Sequence, residues 1–262
     1  MSAEPHYLLT NDDGIDSPFL QALVNALTPF AKVTLVAPAH EQSWISKAIT
    51  RFRELEGRPL PDPSWHQGPR ENLRAFTVSG TPADCVNLGL FHFCETRPEA
   101  VLSGINIGFN AGLPFILSSG TVAGALEGSL QRLTAIALSL ALPPEAFVAL
   151  QENPPRLPAE VKENLHRVTA RIPELVQSVV QEKNSALTVH NFNFPTPTHA
   201  NTPVRTTRPA RLHLGGLFEE HRPGFFHFAF PGIDRSQLAP NSDAAALQEG
   251  AISHSRLSFQ LG

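Results

Sequence analysis

The chain has few cysteines, little excess charge and no long apolar run. Cys85 and Cys94 are its two cysteines, too few for a disulfide framework and outside any zinc-binding spacing, which indicates a reducing compartment. The net charge of −4 provides no basic field for non-specific nucleic-acid binding. We therefore expect no nucleic-acid scaffold role.

Membrane and export signals are also missing from the sequence. The longest apolar run, residues 135–142, is far shorter than the about 20 residues that a spanning helix needs. The N-terminus has no basic region followed by a long apolar stretch, as a signal peptide would. We expect a cytoplasmic protein without a membrane segment.

Several catalytic signatures are absent. The chain has no GxxxxGK(S/T) phosphate loop, no GxSxG nucleophile elbow and no GxGxxG after a predicted strand. These absences argue against a P-loop enzyme, an α/β-hydrolase and a dinucleotide dehydrogenase. The eleven histidines include no HExxH pattern, so we interpret them as solvated or core residues rather than zinc ligands.

Short apolar runs alternate with helical patterns through the first 142 residues. This alternation predicts an α/β fold with a doubly wound, mostly parallel sheet. The predicted strands are residues 6–10, 33–37, 75–78, 100–103 and 135–140, and the predicted helices are residues 19–27, 82–92 and 121–131.

Composition changes divide the chain into regions. A proline-rich insertion occupies residues 51–72 of the predicted core, residues 1–142. Residues 143–262 are predicted to add a core helix at 159–180, interrupted at Pro173, and a β-rich extension. Its β-like runs, residues 187–194, 204–207 and 224–230, are interpreted as antiparallel ribbons flanking the sheet.

Two adjacent carboxylates, Asp12 and Asp13, follow the first predicted strand. Their combined charge is costly without a cation, and oxygen ligands of this type suit Mg²⁺ or Mn²⁺. An ordinary Asp-Gly turn with Asn11 as a capping residue is the alternative. Neighbouring side chains of a strand point to opposite faces, so both can face one metal only if the backbone turns, which Gly14 permits.

Three further segments carry polar groups after predicted strands. Ser43 offers a hydroxyl to a metal or phosphate, or caps a helix. The segment 103–112 is interpreted as a loop whose asparagines, Asn106 and Asn110, bring amide oxygens to a metal while its backbone N–H groups bind phosphate. Residues 118–121 begin a predicted helix. They are interpreted either as an anion-binding site or as a serine N-cap. Because parallel strands end at one sheet edge, these groups can converge there.

Five motifs, in this order and spacing, resemble the survival protein E (SurE) family of divalent-metal nucleotidases: LLTNDDGI, VTLVAPAHEQS, VSGTPADCVNLGL, VLSGINIGFNAG and SSGTVAGALEG. The resemblance is strong over residues 7–142 and looser at 190–195 and 242–253. It implies a Rossmann-like core and a β-rich extension that helps to form homodimers or homotetramers. It further implies hydrolysis of nucleoside 5′- or 3′-monophosphates to nucleoside and phosphate, and activity on short polyphosphate.

The resemblance also implies roles for individual residues. One divalent cation per subunit, Mg²⁺ or Mn²⁺, would be held by Asp12, Asp13, Ser43 and Asn106. Asp12, Asp13 and Asn106 would be catalytic. The residues implied around the phosphate are Asn11, Gly104, Asn110, Ser119, Gly120 and Thr121.

Two positions beside this motif set depart from the family pattern. Trp44 stands where the family usually has glycine, and Lys47 where it often has histidine. Both departures bear on substrate preference more than on hydrolysis. Because of these departures, a nucleotide-binding sensor without turnover remains an alternative function. The insertion at 51–72 leaves a structural interaction protein as a further alternative.

Overall fold

The computed structural model describes residues 4–152, 157–182, 187–234 and 237–260. The strands are β1 (His6–Thr10), β2 (Lys32–Pro38), β3 (Gly57–Pro59), β4 (Leu73–Val78), β5 (Ala100–Ile107), β6 (Thr134–Leu140), β7 (Thr188–Phe194), β8 (Val204–Thr207), β9 (Phe218–Arg222), β10 (Phe225–Phe228) and β11 (Ile252–Ser258). The α-helices are α1 (Pro18–Leu27), α2 (Pro82–Leu88), α3 (Leu113–Ser118), α4 (Gly120–Leu130), α5 (Pro144–Glu152), α6 (Ala159–Val180) and α7 (Asp243–Gln248).

Nine strands form one sheet in the order β3-β4-β2-β1-β5-β6-β7-β11-β8. The six neighbours from β4 to β7 run parallel, whereas β3 and β11 are antiparallel to their inner neighbours. The chain builds outward from β1 to one side through β2 and β4, and then to the other through β5, β6 and β7. The predicted doubly wound, mostly parallel α/β fold is confirmed, and strand order reverses between β1 and β5.

Helices cover both faces of this sheet. Helix α1 packs with α6 on one face, and α2 packs with α4 on the other. The adjacent residues Leu8 and Leu9 of β1 are both fully buried, Leu9 in the cluster with α1 and α6 and Leu8 in the cluster with α2. Burial on both faces explains why the parallel strands are continuous apolar runs.

Local capping signals position the helices that follow the strands. Ser17 caps α1, with Pro18 at its first position. Thr81 and Asp84 form a reciprocal capping box at the start of α2, where Pro82 again occupies the first turn. None of the described helices is long and apolar enough to cross a bilayer.

The predicted loop at residues 103–112 is partly wrong, because β5 continues through Gly104 to Ile107. Gly104 has φ +140, and a Cβ there would lie 2.3 Å from the Leu138 carbonyl oxygen. A glycine is therefore required where β5 passes β6. The remaining residues of the segment lead into α3, a helix that the sequence analysis did not predict.

The predicted interruption of the helix at Pro173 is also wrong, since α6 runs unbroken from Ala159 to Val180. A proline removes one backbone N–H donor, but the apolar face around it, including Ile172 and Val176, is buried against the sheet and α1. Tertiary packing outweighs the lost hydrogen bond.

The interpretation of the C-terminal runs as flanking antiparallel ribbons holds only for residues 224–230, where β10 pairs with β9, a strand that was not predicted, as a separate hairpin. Strand β7 instead joins the main sheet parallel to β6, followed by β11 and β8. Strands on both sides of residue 142 thus share one sheet. The separate roles assigned to residues 1–142 and 143–262 stay a prediction.

Candidate active site

Asp12 lies at the carboxyl edge of the sheet, two residues after β1 and beside the reversal of strand order. Its side chain is 4% exposed, and its Oδ1 accepts a hydrogen bond of 2.5 Å from the Thr121 hydroxyl. The first residue of α4 approaches it closely, since a Cβ on Gly120 would lie 2.7 Å from the Asp12 Cβ. The N-terminus of α4 therefore rests directly on this carboxylate, where the helix dipole favours negative charge.

Asp13 is tied to the end of the neighbouring strand. Its Oδ2 accepts the backbone N–H of Ile107, the last residue of β5, at 3.1 Å. Gly14 turns the backbone with φ +93, and the Asn11 Nδ2 donates to the Gly14 carbonyl at 2.9 Å. The turn that two adjacent aspartates require is present, and their side chains reach the same edge.

Both carboxylates bind protons more readily than usual. Burial raises the pKa of Asp12 to about 6, although the Thr121 hydroxyl and backbone N–H favour its ionised form. Burial, and then repulsion from Asp12, raises the pKa of Asp13 well above its ordinary value. Burial and neighbouring carboxylates thus both oppose ionisation of this pair. A bound cation would supply the missing compensation.

Ser43 belongs to the exposed loop after β2. Its hydroxyl donates to Glu41 Oε1 at 2.5 Å, and the adjacent Gln42 donates its backbone N–H to the Asp12 carbonyl at 2.7 Å. Glu41 also raises the pKa values of Asp12 and Asp13 by repulsion. Sequence reasoning missed Glu41, although its place two residues before Ser43 was a visible signal.

Asn106 and Asn110 have different surroundings. The Asn106 Nδ2 donates to the Gly108 carbonyl at 3.1 Å, which leaves its Oδ1 as the candidate metal ligand. Asn110 is buried, and its Nδ2 donates to the Ser139 hydroxyl at 2.9 Å. Its backbone N–H donates to Asn193 Oδ1, and its carbonyl accepts from Asn191 Nδ2. The two asparagines of β7, which sequence reasoning missed, thus fix the Asn110 segment.

The residues at the start of α4 that were predicted to bind phosphate lie beside Asp12. The Ser119 hydroxyl accepts the Val122 N–H at 3.0 Å, so the serine cap considered from the sequence is present. Thr121 donates its hydroxyl to Asp12. The phosphate-binding roles of Ser119, Gly120 and Thr121 stay a prediction, as do those of Asn11 and Gly104.

The donors at this edge fit a hard cation. Asp12, Asp13, Ser43 and Asn106 offer only oxygen atoms, the ligands that Mg²⁺ and Mn²⁺ accept. Among the described ranges, no cluster of three or more His, Cys, Asp or Glu side chains could hold a metal ion. Two carboxylates with neutral oxygens suit a site that keeps water in its coordination shell, not a closed zinc site.

The two residues that depart from the family pattern lie in the loop after Ser43. The Lys47 Nζ lies 2.6 Å from Glu127 Oε2 of α4, so this lysine is held in an ion pair. Trp44 has a left-handed backbone, φ +59, and packs against phenylalanines from other segments.

Comparison with known proteins identifies the family. The sequence model described as Survival protein SurE matches residues 7–215. The protein called 5′-nucleotidase SurE from Citrifermentans bemidjiense is 44% identical over 97% of this chain and 93% of its own length. Its namesake from Chlorobium chlorochromatii is 43% identical over 52% of this chain and 47% of its own length.

A solved structure agrees with these matches. The crystal structure of the SurE protein from Aquifex aeolicus aligns with 98% of this chain and 95% of its own, at a TM-score of 0.74 and 27% identity. The fold and the sequence thus lead to the same conclusion. The chain belongs to the SurE family.

Proposed function

We propose that the protein is a divalent-metal-dependent nucleotidase that hydrolyses nucleoside 5′- or 3′-monophosphates to nucleoside and phosphate. The observation that carries the proposal is the Asp12–Asp13 pair at the reversal of strand order, where open α/β sheets bind their ligands. Membership of the SurE family supports it, because relatives up to 44% identical over nearly the whole chain are called 5′-nucleotidase SurE.

In this proposal, Asp12, Asp13, Ser43 and Asn106 hold one Mg²⁺ or Mn²⁺ per subunit. A divalent cation bound there supplies Lewis-acid stabilisation of the phosphoryl oxygens and a means of activating water. Asp12, Asp13 and Asn106 are the residues closest to the chemistry.

The chain itself positions these groups. The Thr121 hydroxyl orients Asp12, and the Ile107 N–H orients Asp13, so that the carboxylates are fixed before substrate arrives. The N-terminus of α4, at Ser119 and Gly120, directs partial positive charge toward a phosphate. In this proposal, Asn11, Gly104 and Asn110 complete the surroundings of the phosphate.

Activity assays with and without chelator test the proposal. Purified protein should hydrolyse p-nitrophenyl phosphate and members of a 5′- and 3′-nucleotide panel, lose activity in EDTA, and regain it with Mg²⁺ or Mn²⁺. Asp12→Asn should lower kcat by at least about 100-fold. Asp16→Asn, the same change at an exposed aspartate four residues away, is the matched control.

Hydrolysis that persists in EDTA, or in Asp12→Asn, would overturn the proposal. Equilibrium nucleotide binding without phosphate release would instead identify a binding protein without turnover.

A further inference from the structure

Trp44 has a backbone conformation that bulky residues rarely adopt. Its φ of +59 lies in the left-handed region, where a Cβ is crowded by the following carbonyl. The side chain is nevertheless 40% exposed, so burial alone does not account for tryptophan at this position. Strained residues of this kind are concentrated at ligand sites.

The Trp44 ring belongs to an aromatic cluster that we define as Trp44, Phe109, Phe115, Phe228 and Phe230. Its centroid lies 5.9 Å from Phe115, 5.2 Å from Phe228 and 6.5 Å from Phe230. Phe115 also contacts Phe109 at 5.0 Å and Phe230 at 5.9 Å. Segments far apart in sequence thus assemble one apolar surface, and Trp44, Phe228 and Phe230 leave part of it open to solvent.

This aromatic cluster borders the carboxylate site. Ile45, the residue after Trp44, lies 3.1 Å from the position of a Cβ on Gly120, the glycine that touches Asp12. Ser46 donates its hydroxyl to the Leu117 carbonyl at 2.7 Å and its N–H to the Ser118 carbonyl at 3.0 Å. The loop carrying Ser43 and Trp44 is therefore fastened between the metal ligands and α3.

A cavity of about 450 Å³ continues from the aromatic cluster, with Phe109 and Phe230 in its wall. This volume falls in the roughly 300–1,000 Å³ range of small-molecule pockets. Leucines and prolines make up much of the remaining lining. The Thr196 hydroxyl, also in the wall, already donates to the Ala141 carbonyl and accepts from Asn164. The described residues of this lining include no charged side chain, so the cavity suits an uncharged group.

We propose that the aromatic cluster is a nucleobase subsite, with Trp44 as the stacking surface. This inference rests on the proposed nucleotidase function: with the phosphate at the sheet edge that carries Asp12 and Asp13, the uncharged base would stack on Trp44. Every nucleobase has a flat face that can stack on an aromatic side chain, so the subsite accepts all bases. Purine monophosphates are bound more tightly than pyrimidine ones, because the larger ring system covers more of the indole.

Removing the indole should affect only substrates that contain a base. For Trp44→Ala, we expect KM for AMP to rise about 10-fold or more, with KM for ribose 5-phosphate changed less than about twofold. Trp44→Phe keeps an aromatic ring, so its KM for AMP should rise much less. Trp44→Gly removes the ring and the backbone crowding together, so it should fold at least as well as wild type and show the same selective loss.

Phe91→Ala is the matched control, because Phe91 is exposed and follows α2, beyond the helix end remote from the site. It should leave KM for both substrates unchanged. If wild type hydrolyses both substrates but Trp44→Ala and Trp44→Gly alter both equally, the cluster serves packing and the subsite is overturned. If wild type hydrolyses neither, the proposed function itself fails.

Fluorescence gives a readout that is independent of turnover. The chain has two tryptophans, and Trp65→Phe leaves Trp44 as the only one. Adenosine, which carries no phosphate, should quench the emission of this variant in a saturable manner. Absence of quenching at millimolar adenosine in a variant that still hydrolyses AMP would overturn the inference.

Discussion

Asp12 illustrates how the site depends on single hydrogen bonds. Burial favours its protonated form, whereas the Thr121 hydroxyl and the N-terminus of α4 favour the carboxylate that a cation requires. The Ile107 N–H donates to Asp13, whereas repulsion from Asp12 opposes the ionisation of Asp13. Loss of one hydrogen-bond donor should therefore lower the catalytic activity more than the folding stability.

Thr121→Val removes the donor to Asp12 while preserving the shape of the side chain. Hydrogen bonds to charged groups contribute about 1.5–3 kcal/mol, so we expect kcat/KM for nucleotide hydrolysis to fall about 10-fold or more. Thr121→Ser keeps the hydroxyl and should retain most activity. Steady-state kinetics at saturating metal measure the difference; equal rates for Thr121→Val and wild type would contradict the assigned role.

Helix α4 contacts the sheet through a face of small residues. Gly120, Gly124 and Gly128 recur every four residues, and a Cβ on any of them would lie 2.5–2.9 Å from an atom of the strands or of Asp12. The missing side chains let the helix axis approach the sheet closely. This approach is what brings Thr121 within reach of Asp12.

Gly128→Ala should destabilise the fold without touching the site directly. Its Cβ would lie 2.5 Å from Val101 Cγ2, and overpacking of this kind costs about 1–3 kcal/mol. Gly216→Ala is the control, since in the described part of the chain nothing except its own chain neighbours lies within 4 Å of its added Cβ. Urea unfolding measures both free energies, and a Gly128→Ala protein as stable as Gly216→Ala would refute the close approach.

The β7–β11 pair should make stability depend on pH. Burial, followed by the charges of His254 and Arg256, lowers the pKa of His190 to about 4 from 6.5. Between pH 6.5 and pH 4, His190 is therefore protonated in the unfolded chain but neutral in the folded chain. Its contribution to the free energy of unfolding is fully present above pH 6.5 and decreases as the pH falls toward 4. For this group we expect a loss of about 2 kcal/mol between pH 7.5 and pH 5.

Urea unfolding of wild type and His190→Gln across this pH range measures that loss. The free energy of unfolding should fall more steeply with decreasing pH for wild type than for His190→Gln. Stability between pH 7.5 and pH 8.5 serves as the internal control, because His190 is neutral in both states there. Parallel pH profiles for the two proteins would show that His190 does not carry the dependence.

At the scale of the whole molecule, the β9–β10 hairpin lies outside the main sheet and exposes aromatic side chains. Phe218 and Phe226 are 66% and 62% exposed, which is unusual for large apolar side chains on a protein surface. We expect the chain to form homodimers or homotetramers through this hairpin. Phe226→Glu should shift the species measured by size exclusion with light scattering toward the monomer.

Phe91→Glu introduces the same charge at an equally exposed phenylalanine, 61% exposed, and should leave the oligomer intact. A monomeric wild-type protein, or an unchanged mass for Phe226→Glu, would contradict assembly through the hairpin.

The core strands and the sites of polar residues were predictable because their signals are local. Apolar runs predicted β1, β2, β4 and β6 to within two residues at each end, and the NDDG motif placed two carboxylates after β1. Short β-like runs near the C-terminus did not reveal their partners. Whether β7 joins the central sheet or a ribbon depends on pairing with β6, about fifty residues earlier.

The sequence by itself determined the α/β class and which polar residues follow the strands, since hydrophobic period, capping and turn chemistry act over a few neighbouring residues. Only the tertiary structure decided that Thr121 donates to Asp12 across 109 positions, that Glu41 adds charge to the site, and that Trp44 meets Phe228. These contacts depend on how helices and loops pack against the completed sheet, a long-range property with no local pattern in the chain.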